Sequence, residues 1–118
     1  MSVSKDYLAW LEELFAPLGR IRIKRMFGGA GIYCEELLFA IVIYDALYLK
    51  VDDASQAAFE AEGLEAFRYE AKGKLMQMSY CRAPDEALES PALMLPWARN
   101  ALAAALRKRN ASSRLQSH

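Results

Sequence analysis

Arg25-Met26-Phe27-Gly28-Gly29-Ala30-Gly31-Ile32-Tyr33 is the stretch whose reading decides the fold of this chain. Its glycines separate a basic, alternating segment from a nearly unbroken apolar run. Glycine is placed where the backbone needs positive φ or where another group must approach it closely, and elsewhere it costs entropy. A Gly-Gly pair between strand-like residues signals a two-residue hairpin turn. No Gly-Lys-Ser/Thr follows, and Gly28-Gly29-Ala30-Gly31 lacks dinucleotide-fingerprint spacing, so the segment is no phosphate loop. The expectation is a tight hairpin in which Gly28, Gly29 or both take positive φ.

Upstream of the glycines the sequence period is two. Ile21, Ile23 and Phe27 fall on one side, and Arg20, Arg22, Lys24 and Met26 on the other. Arg25 breaks the pattern, since strict alternation sets it on the apolar side. Before this strand, residues 4–16 read as an amphipathic helix capped by Ser4. Leu8, Leu11, Leu14 and Phe15 form its stripe, with Trp10 off it. Pro17 and Gly19 end the helix.

Downstream, Ala30 to Cys34 is the return strand and Glu35-Glu36 a polar turn. The continuously apolar Leu37 to Tyr44 suits a central strand covered on both faces. Asp45-Ala46 turns the chain into Leu47–Val51, completing a four-strand meander. Asp53 is expected to open a helix, with Gln56 as its capping-box partner and Gly63 as its stop. Lys72-Gly73 makes a turn into a fifth strand, Lys74 to Cys81. Pro84 fits the start of a short helix through Glu89, and Ser90-Pro91 can begin another. Pro96 begins or kinks the last helix. The predicted architecture is α+β: one domain over residues 1–110, with an antiparallel sheet of about five strands and helices packed on it. Residues 111–118 are expected to form a disordered tail.

Lysine and arginine together match aspartate and glutamate at 15 each, so net charge points to no polyanionic partner. Distribution is more telling. Every charge between Glu13 and Glu35 is positive, every charge from Asp52 to Glu65 is negative, and after Glu89 all are positive again. Such polarity can steer an opposite partner or let two copies meet, so a weak homodimer is an expectation. Cys34 and Cys81 form no Cys-x-x-Cys pair, and the lone histidine is the terminal His118, so no metal or cofactor is expected. Nothing at the N-terminus resembles a signal peptide, and Leu37–Tyr44 is too short to span a bilayer. A cytoplasmic protein without a membrane partner follows.

Catalytic constellations are thin. A histidine-dependent nucleophile needs a positioned base, and adjacent carboxylates such as Glu12-Glu13 diverge on helix and strand alike. Arg25, Tyr33, Tyr48, Lys50, Tyr69 and Tyr80 form a more interesting set. They can pack on a sheet with their polar ends in water, or line a small-ligand or cryptic enzymatic pocket. Arg20, Arg22 and Lys24 offer a basic ladder able to touch phosphates without reading bases. Arg107-Lys108-Arg109 and Arg114 suit a helix C-terminus. With zero net charge and no DNA-binding signature, direct DNA binding is not expected beyond a weak contact.

Arg25-Met26-Phe27-Gly28-Gly29 with Gly31-Ile32-Tyr33 resembles the signature of the TfoX/Sxy N-terminal domain of bacterial competence regulators. Further matching pieces follow in order: Phe39-Ala40, Leu47 to Val51, Phe67-Arg68-Tyr69, Met78-Ser79-Tyr80 and Trp97 to Ala101. The likeness spans most of residues 5–107. Full-length regulators of that family carry a second, C-terminal domain, whereas this chain stops soon after its final helix. The resemblance implies a non-enzymatic regulatory module acting through a protein partner. Its candidate interaction or ligand site is Arg25, Phe27, Gly28, Gly29, Gly31, Tyr33 and Lys50, with Arg20, Arg22 and Lys24 as a basic face.

Overall fold

A computed structural model of the chain describes residues 4–26, 28–44 and 46–116, with side chains through Ala111. Phe27, read as the end of the strand's apolar side, and Asp45, in a predicted turn, lie outside the described residues. The first helix, α1 (Lys5–Phe15), starts at Ser4, whose hydroxyl accepts from the Tyr7 amide at 3.1 Å. A 3-10 turn over Ala16–Leu18 follows, and Pro17 sits in its first positions, where a missing amide costs nothing. Leu11, Leu14 and Phe15 are fully buried, as the stripe predicts. Trp10 is half-buried too: its Nε1 donates to the Leu88 carbonyl at 3.1 Å, tying α1 to a distant segment.

Among the described residues six strands form one antiparallel sheet: β1 (Ile21–Met26), β2 (Gly29–Cys34), β3 (Leu37–Ile43), β4 (Ala46–Lys50), β5 (Ala66–Ala71) and β6 (Lys74–Arg82). Their spatial order is β1-β2-β3-β4-β6-β5. The four-strand meander stands, and the sixth strand is β5, which takes up Phe67-Arg68-Tyr69, a segment the sequence left unassigned. Before Ser79, β6 pairs with β5 alone, and its residues Lys74–Ser79 are all exposed. The two strands therefore project from the sheet as an arm.

Turn chemistry sets each register. Met26 pairs with Gly29 across the first hairpin, and Gly28 takes φ 79° between them. Gly29 stays extended, for a different reason. A Cβ there would lie 2.0 Å from the Val42 carbonyl oxygen, so close backbone approach explains the second glycine. Cys34 pairs with Leu37 around Glu35-Glu36, whose φ values of 49° and 70° are left-handed. That is the conformation for which Asn-Gly is the preferred pair. Glu35→Asn with Glu36→Gly is expected to stabilise the fold by about 1 kcal/mol, because two strained non-glycine residues are relieved. Thermal unfolding checks it through a rise of about 3–5 °C. The exposed Arg22–Glu36 ion pair lost in the exchange, 3.5 Å long, subtracts little.

The helix α2 (Gln56–Ala61) begins later than predicted, and its start is organised by Asp52 rather than Asp53. The Asp52 carboxylate accepts from the Ser55 amide and hydroxyl, both at 3.1 Å, and its carbonyl accepts from the Gln56 amide at 2.9 Å. Gln56 reaches forward to Glu60 instead of back to a cap. Gly63, at φ 73°, ends the helix as expected. Pro84 precedes a 3-10 turn over Asp85–Glu89. The last helix, α3, is continuous from Pro91 to Gln116, with Pro96 inside it. Ser90 caps α3 through its hydroxyl to the Leu93 amide. The helical backbone thus extends past Asn110, where the sequence reading placed the domain's end.

The core lies on one face of the sheet. Ala30, Ile32, Ala40, Val42, Leu47, Leu49 and Cys81 point toward Leu11, Leu14 and Phe15 of α1 and Met94, Ala98 and Ala101 of α3. Phe15 meets Phe39 edge-on at 5.0 Å, and Phe59 of α2 meets Trp97 of α3 at 4.9 Å. Small alanines on α3 let the helix sit close to the strands. The apolar run of β3 suggested cover on both faces. Among the described residues only one face carries helices, while Leu38, Ile41 and Ile43 on the other are half-buried. Cys34 and Cys81 are buried free thiols in β2 and β6. Two strands separate them, a gap of about 14 Å at normal strand spacing.

Candidate functional site: the helix-free face

Alternation along each strand sends a second set of side chains to the face without helices. On β1 these are Arg22, Lys24 and Met26, registered against Tyr33, Gly31 and Gly29 of β2. Ile41 and Ile43 continue the row on β3, and Tyr48 and Lys50 on β4. Tyr80 and Arg82 follow on β6, opposite Lys50 and Tyr48. Met76 and Tyr69 form a cross-strand pair farther out on the arm. The face is thus a run of aromatic, methionine and branched side chains edged by cations. Tyr69 is 42% exposed, Met76 43% and Met78 38%, values unusual for such large apolar groups.

A groove of about 510 Å³ runs along it. Met26, Leu38, Ile41, Ile43, Met78 and Tyr80 line its walls, and Gly29 forms part of its floor. Nearby Gly31 lies under Met26 and Leu38, which a Cβ would meet at 2.7 and 3.0 Å. The glycines of the signature thus leave room on this face as well as shaping a turn. Beside the groove, Tyr48 packs edge-on against Phe67 at 5.0 Å, and Phe67 stacks on Tyr69 at 6.1 Å.

Cations already cover two of the tyrosines. The Arg22 guanidinium lies 4.8 Å from the centre of the Tyr33 ring, and Lys50 Nζ lies 4.9 Å from that of Tyr80. Lys50 is only 6% exposed. Burial, followed by the neighbouring charge of Lys108 on α3, lowers its pKa to about 8. Burial and then the Tyr33 phenol push Tyr80 up to about 12. Near the same strand end, Arg107 holds Asp52 in a two-pronged bond, with Nε at 2.6 Å and a terminal nitrogen at 2.9 Å. That bond is the largest reason the Asp52 pKa falls to about 2, with Ser55 adding to it.

Asp52 carries a pH prediction. Its folded pKa lies below the unfolded value, so its stabilisation is complete above about pH 5 and is lost as pH falls toward 2. Asp52→Asn is expected to cost about 1–2 kcal/mol at pH 7, discounted because Arg107 is half-exposed, and to flatten the acid limb of stability. Urea unfolding at pH 3 and pH 7 measures both effects.

The predicted site residues do not form one cluster. Gly29, Gly31 and Tyr33 share the helix-free face, and Lys50 joins it through Tyr80. Arg25 has the opposite parity and stands exposed on the edge strand, so its break in the alternation leaves no buried charge. Lys50 is three strands away from it. Gly28 belongs to the turn, and Phe27 lies outside the described residues. Of the basic ladder, Arg22 and Lys24 do project from one face, whereas Arg20 precedes the strand. Sequence reasoning missed Met76, Met78, Phe67 and Arg82. Alternation along Lys74 to Cys81 puts Met76 and Met78 on one side, but nothing local shows that this side carries no helix. Among the described residues no group of three or more His, Cys, Asp or Glu side chains is placed to hold a metal, and no helix is long and apolar enough to cross a membrane.

Residues 13–105 match the family model of the TfoX N-terminal domain. A relative, the DNA transformation protein TfoX1 of Aliivibrio fischeri (strain ATCC 700601 / ES114), is 28% identical over 99 residues. That match covers 80% of this chain and 47% of the relative, so the chain spans about half the length of the curated protein it matches.

Proposed function

The chain belongs to the TfoX N-terminal domain family, and from that premise we propose that it is a non-enzymatic, cytoplasmic interaction module in the regulation of competence. The observation supporting this reading is the helix-free face. Its half-exposed Tyr69, Met76 and Met78 continue into an apolar groove, the kind of surface that docks a protein. A relative named as a DNA transformation protein supports the link to DNA uptake.

The small-ligand alternative rested on Arg25 acting with Tyr33 and Lys50. Those three lie on different strands and on both sides of the sheet, which weighs against a shared pocket. Direct reading of nucleic acid is disfavoured because Arg22 and Lys50 occupy the tyrosine faces on which bases would stack.

The test is a transplant. This chain replaces the matching segment of the Aliivibrio fischeri relative, and transformation frequency is measured. The chimera is expected to transform, and Tyr69→Ala with Met78→Glu is expected to lower the frequency at least tenfold. Arg99→Ala, on the exposed side of α3, serves as the control and should change nothing. An open-face variant that transforms like its parent, or an inert chimera, would overturn the proposal.

A further inference from the structure

Accepting that the helix-free face is a docking surface, the geometry points to a second copy of this chain as its occupant, packed face to face about a twofold axis parallel to the strands. Such an axis reverses strand order between the two sheets. The β1 edge of one copy then lies across from the β5–β6 edge of the other, and the reverse contact is made at the same time.

The charges suit that arrangement. Arg22 and Lys24 line the β1 edge on the helix-free side. At the opposite edge a concavity of about 830 Å³ opens beside Tyr48 and Arg82, and its rim carries Glu62, Glu65, Asp85 and Glu86. Arg68 and Arg82 also line it, leaving carboxylates in excess by two (four against two). Both the acidic rim and the Met26–Gly29 turn lie toward the sheet end where β3 finishes, since Gly29 sits against Val42 and Ile43 lines the concavity. A twofold parallel to the strands keeps those ends together. Each basic edge thereby meets an acidic rim, and an overall charge of zero leaves no net repulsion between copies.

Shape and size agree as well. The arm carries its exposed Tyr69, Met76 and Met78 on the same side as the groove but at the sheet end where β3 begins, so in the pair it runs past the partner's β1–β2 strands on the side of their Glu35-Glu36 turn. A two-stranded ribbon is marginal in water without a packed face, and the second sheet supplies one. Six strands of about six residues give a flat footprint of about 500 Å². Side-chain relief raises it toward the about 800 Å² per partner of a specific interface. Single-stranded nucleic acid fits less well, because the acidic rim repels it and the Tyr33 and Tyr80 rings are capped.

Sedimentation velocity from about 10 µM to 1 mM is the test. The wild-type chain is expected to shift from monomer to dimer, and Met76→Glu with Met78→Glu to raise the dissociation constant at least tenfold. Two charge-reversed chains carry the stronger prediction. Arg22→Glu with Lys24→Glu, and Glu65→Lys with Glu86→Lys, should each be monomeric alone and should pair with one another when mixed, since the heterodimer restores both contacts. All four positions are exposed, and circular dichroism confirms that the chains are folded. A wild type that stays monomeric, a dimer indifferent to these changes, or charge variants that fail to pair would overturn the inference. So would sub-micromolar binding of single-stranded DNA at about 150 mM salt, where exposed charges are screened beyond about 8 Å. Transformation lost in the open-face chimera while the chain remains monomeric would leave the docking reading intact and eliminate only the second copy.

Discussion

A Gly29→Ala chain is expected to lose about 3 kcal/mol or more of folding stability, although the substitution adds a single methyl group. Gly29 is extended, so left-handed geometry is not the reason. The added Cβ would stand 2.0 Å from the backbone carbonyl oxygen of Val42 and 3.2 Å from its carbon. A side chain in the way can rotate, but a backbone carbonyl in a central ladder moves only with its strand. Val42 is fully buried and pairs with both Ala30 and Leu47, so any shift spreads to three strands. Gly73→Ala supplies the comparison. At φ 77° with open space around it, that change should cost only about 1 kcal/mol. Denaturant unfolding of the two variants separates steric collision from backbone preference. A Gly29→Ala loss below that of Gly73→Ala would contradict the account.

Lys50→Met is expected to act in the opposite direction, stabilising the chain by about 1–3 kcal/mol at pH 7. The wild-type ammonium is 6% exposed, and burial, then Lys108, lowers its pKa to about 8. In the unfolded chain the value returns to about 10.4. Below pH 8 both states hold the proton, and the folded state bears the cost of the buried charge. Between about pH 8 and 10 the unfolded state holds more protons, so the contribution of Lys50 to stability rises with pH. The advantage of the variant should therefore be greatest below pH 8 and shrink toward zero near pH 10. Reading the difference between the two chains removes the opposing effect of Cys34 and Cys81, whose buried thiols are both pushed up. A variant less stable than wild type at pH 7, or a difference independent of pH, would show that the contact with Tyr80 outweighs the desolvation.

Much of this arrangement was legible because local chemistry and tertiary structure agree. The stripe Leu8, Leu11, Leu14 and Phe15 forms the buried side of α1 with little regard to what covers it. Gly28 makes the turn its neighbours require. The reading stopped where the answer depended on distant segments. Phe67-Arg68-Tyr69 escaped assignment because β5 is largely exposed on the arm, so no burial alternation marks it. The start of α2 slipped to Asp53 because Asp52 and Asp53 are equivalent as letters, and only the bonds to Ser55 and Arg107 single out Asp52. Lys50 looked like one polar member of an alternating strand. Its burial depends on Tyr80 and on α3, both far along the chain. The site poses the same difficulty on a larger scale. Alternation in Leu37–Ile43 shows two faces, but which one the helices cover is settled only by the path of α3.

The central claim is that the helix-free face is where a second copy of the chain docks rather than a merely solvated surface, and methionine-methyl NMR tests it most directly. Met26, Met76 and Met78 lie on that face, and Met94 of α3 is fully buried in the core as an internal reference. With the methionine methyls isotopically labelled, spectra are recorded from about 10 µM to 1 mM chain. The account predicts progressive shifts or broadening at Met26, Met76 and Met78, with Met94 unmoved. Methyls of the open face that stay sharp and unshifted over the whole range, or shifts equally large at Met94, would contradict it.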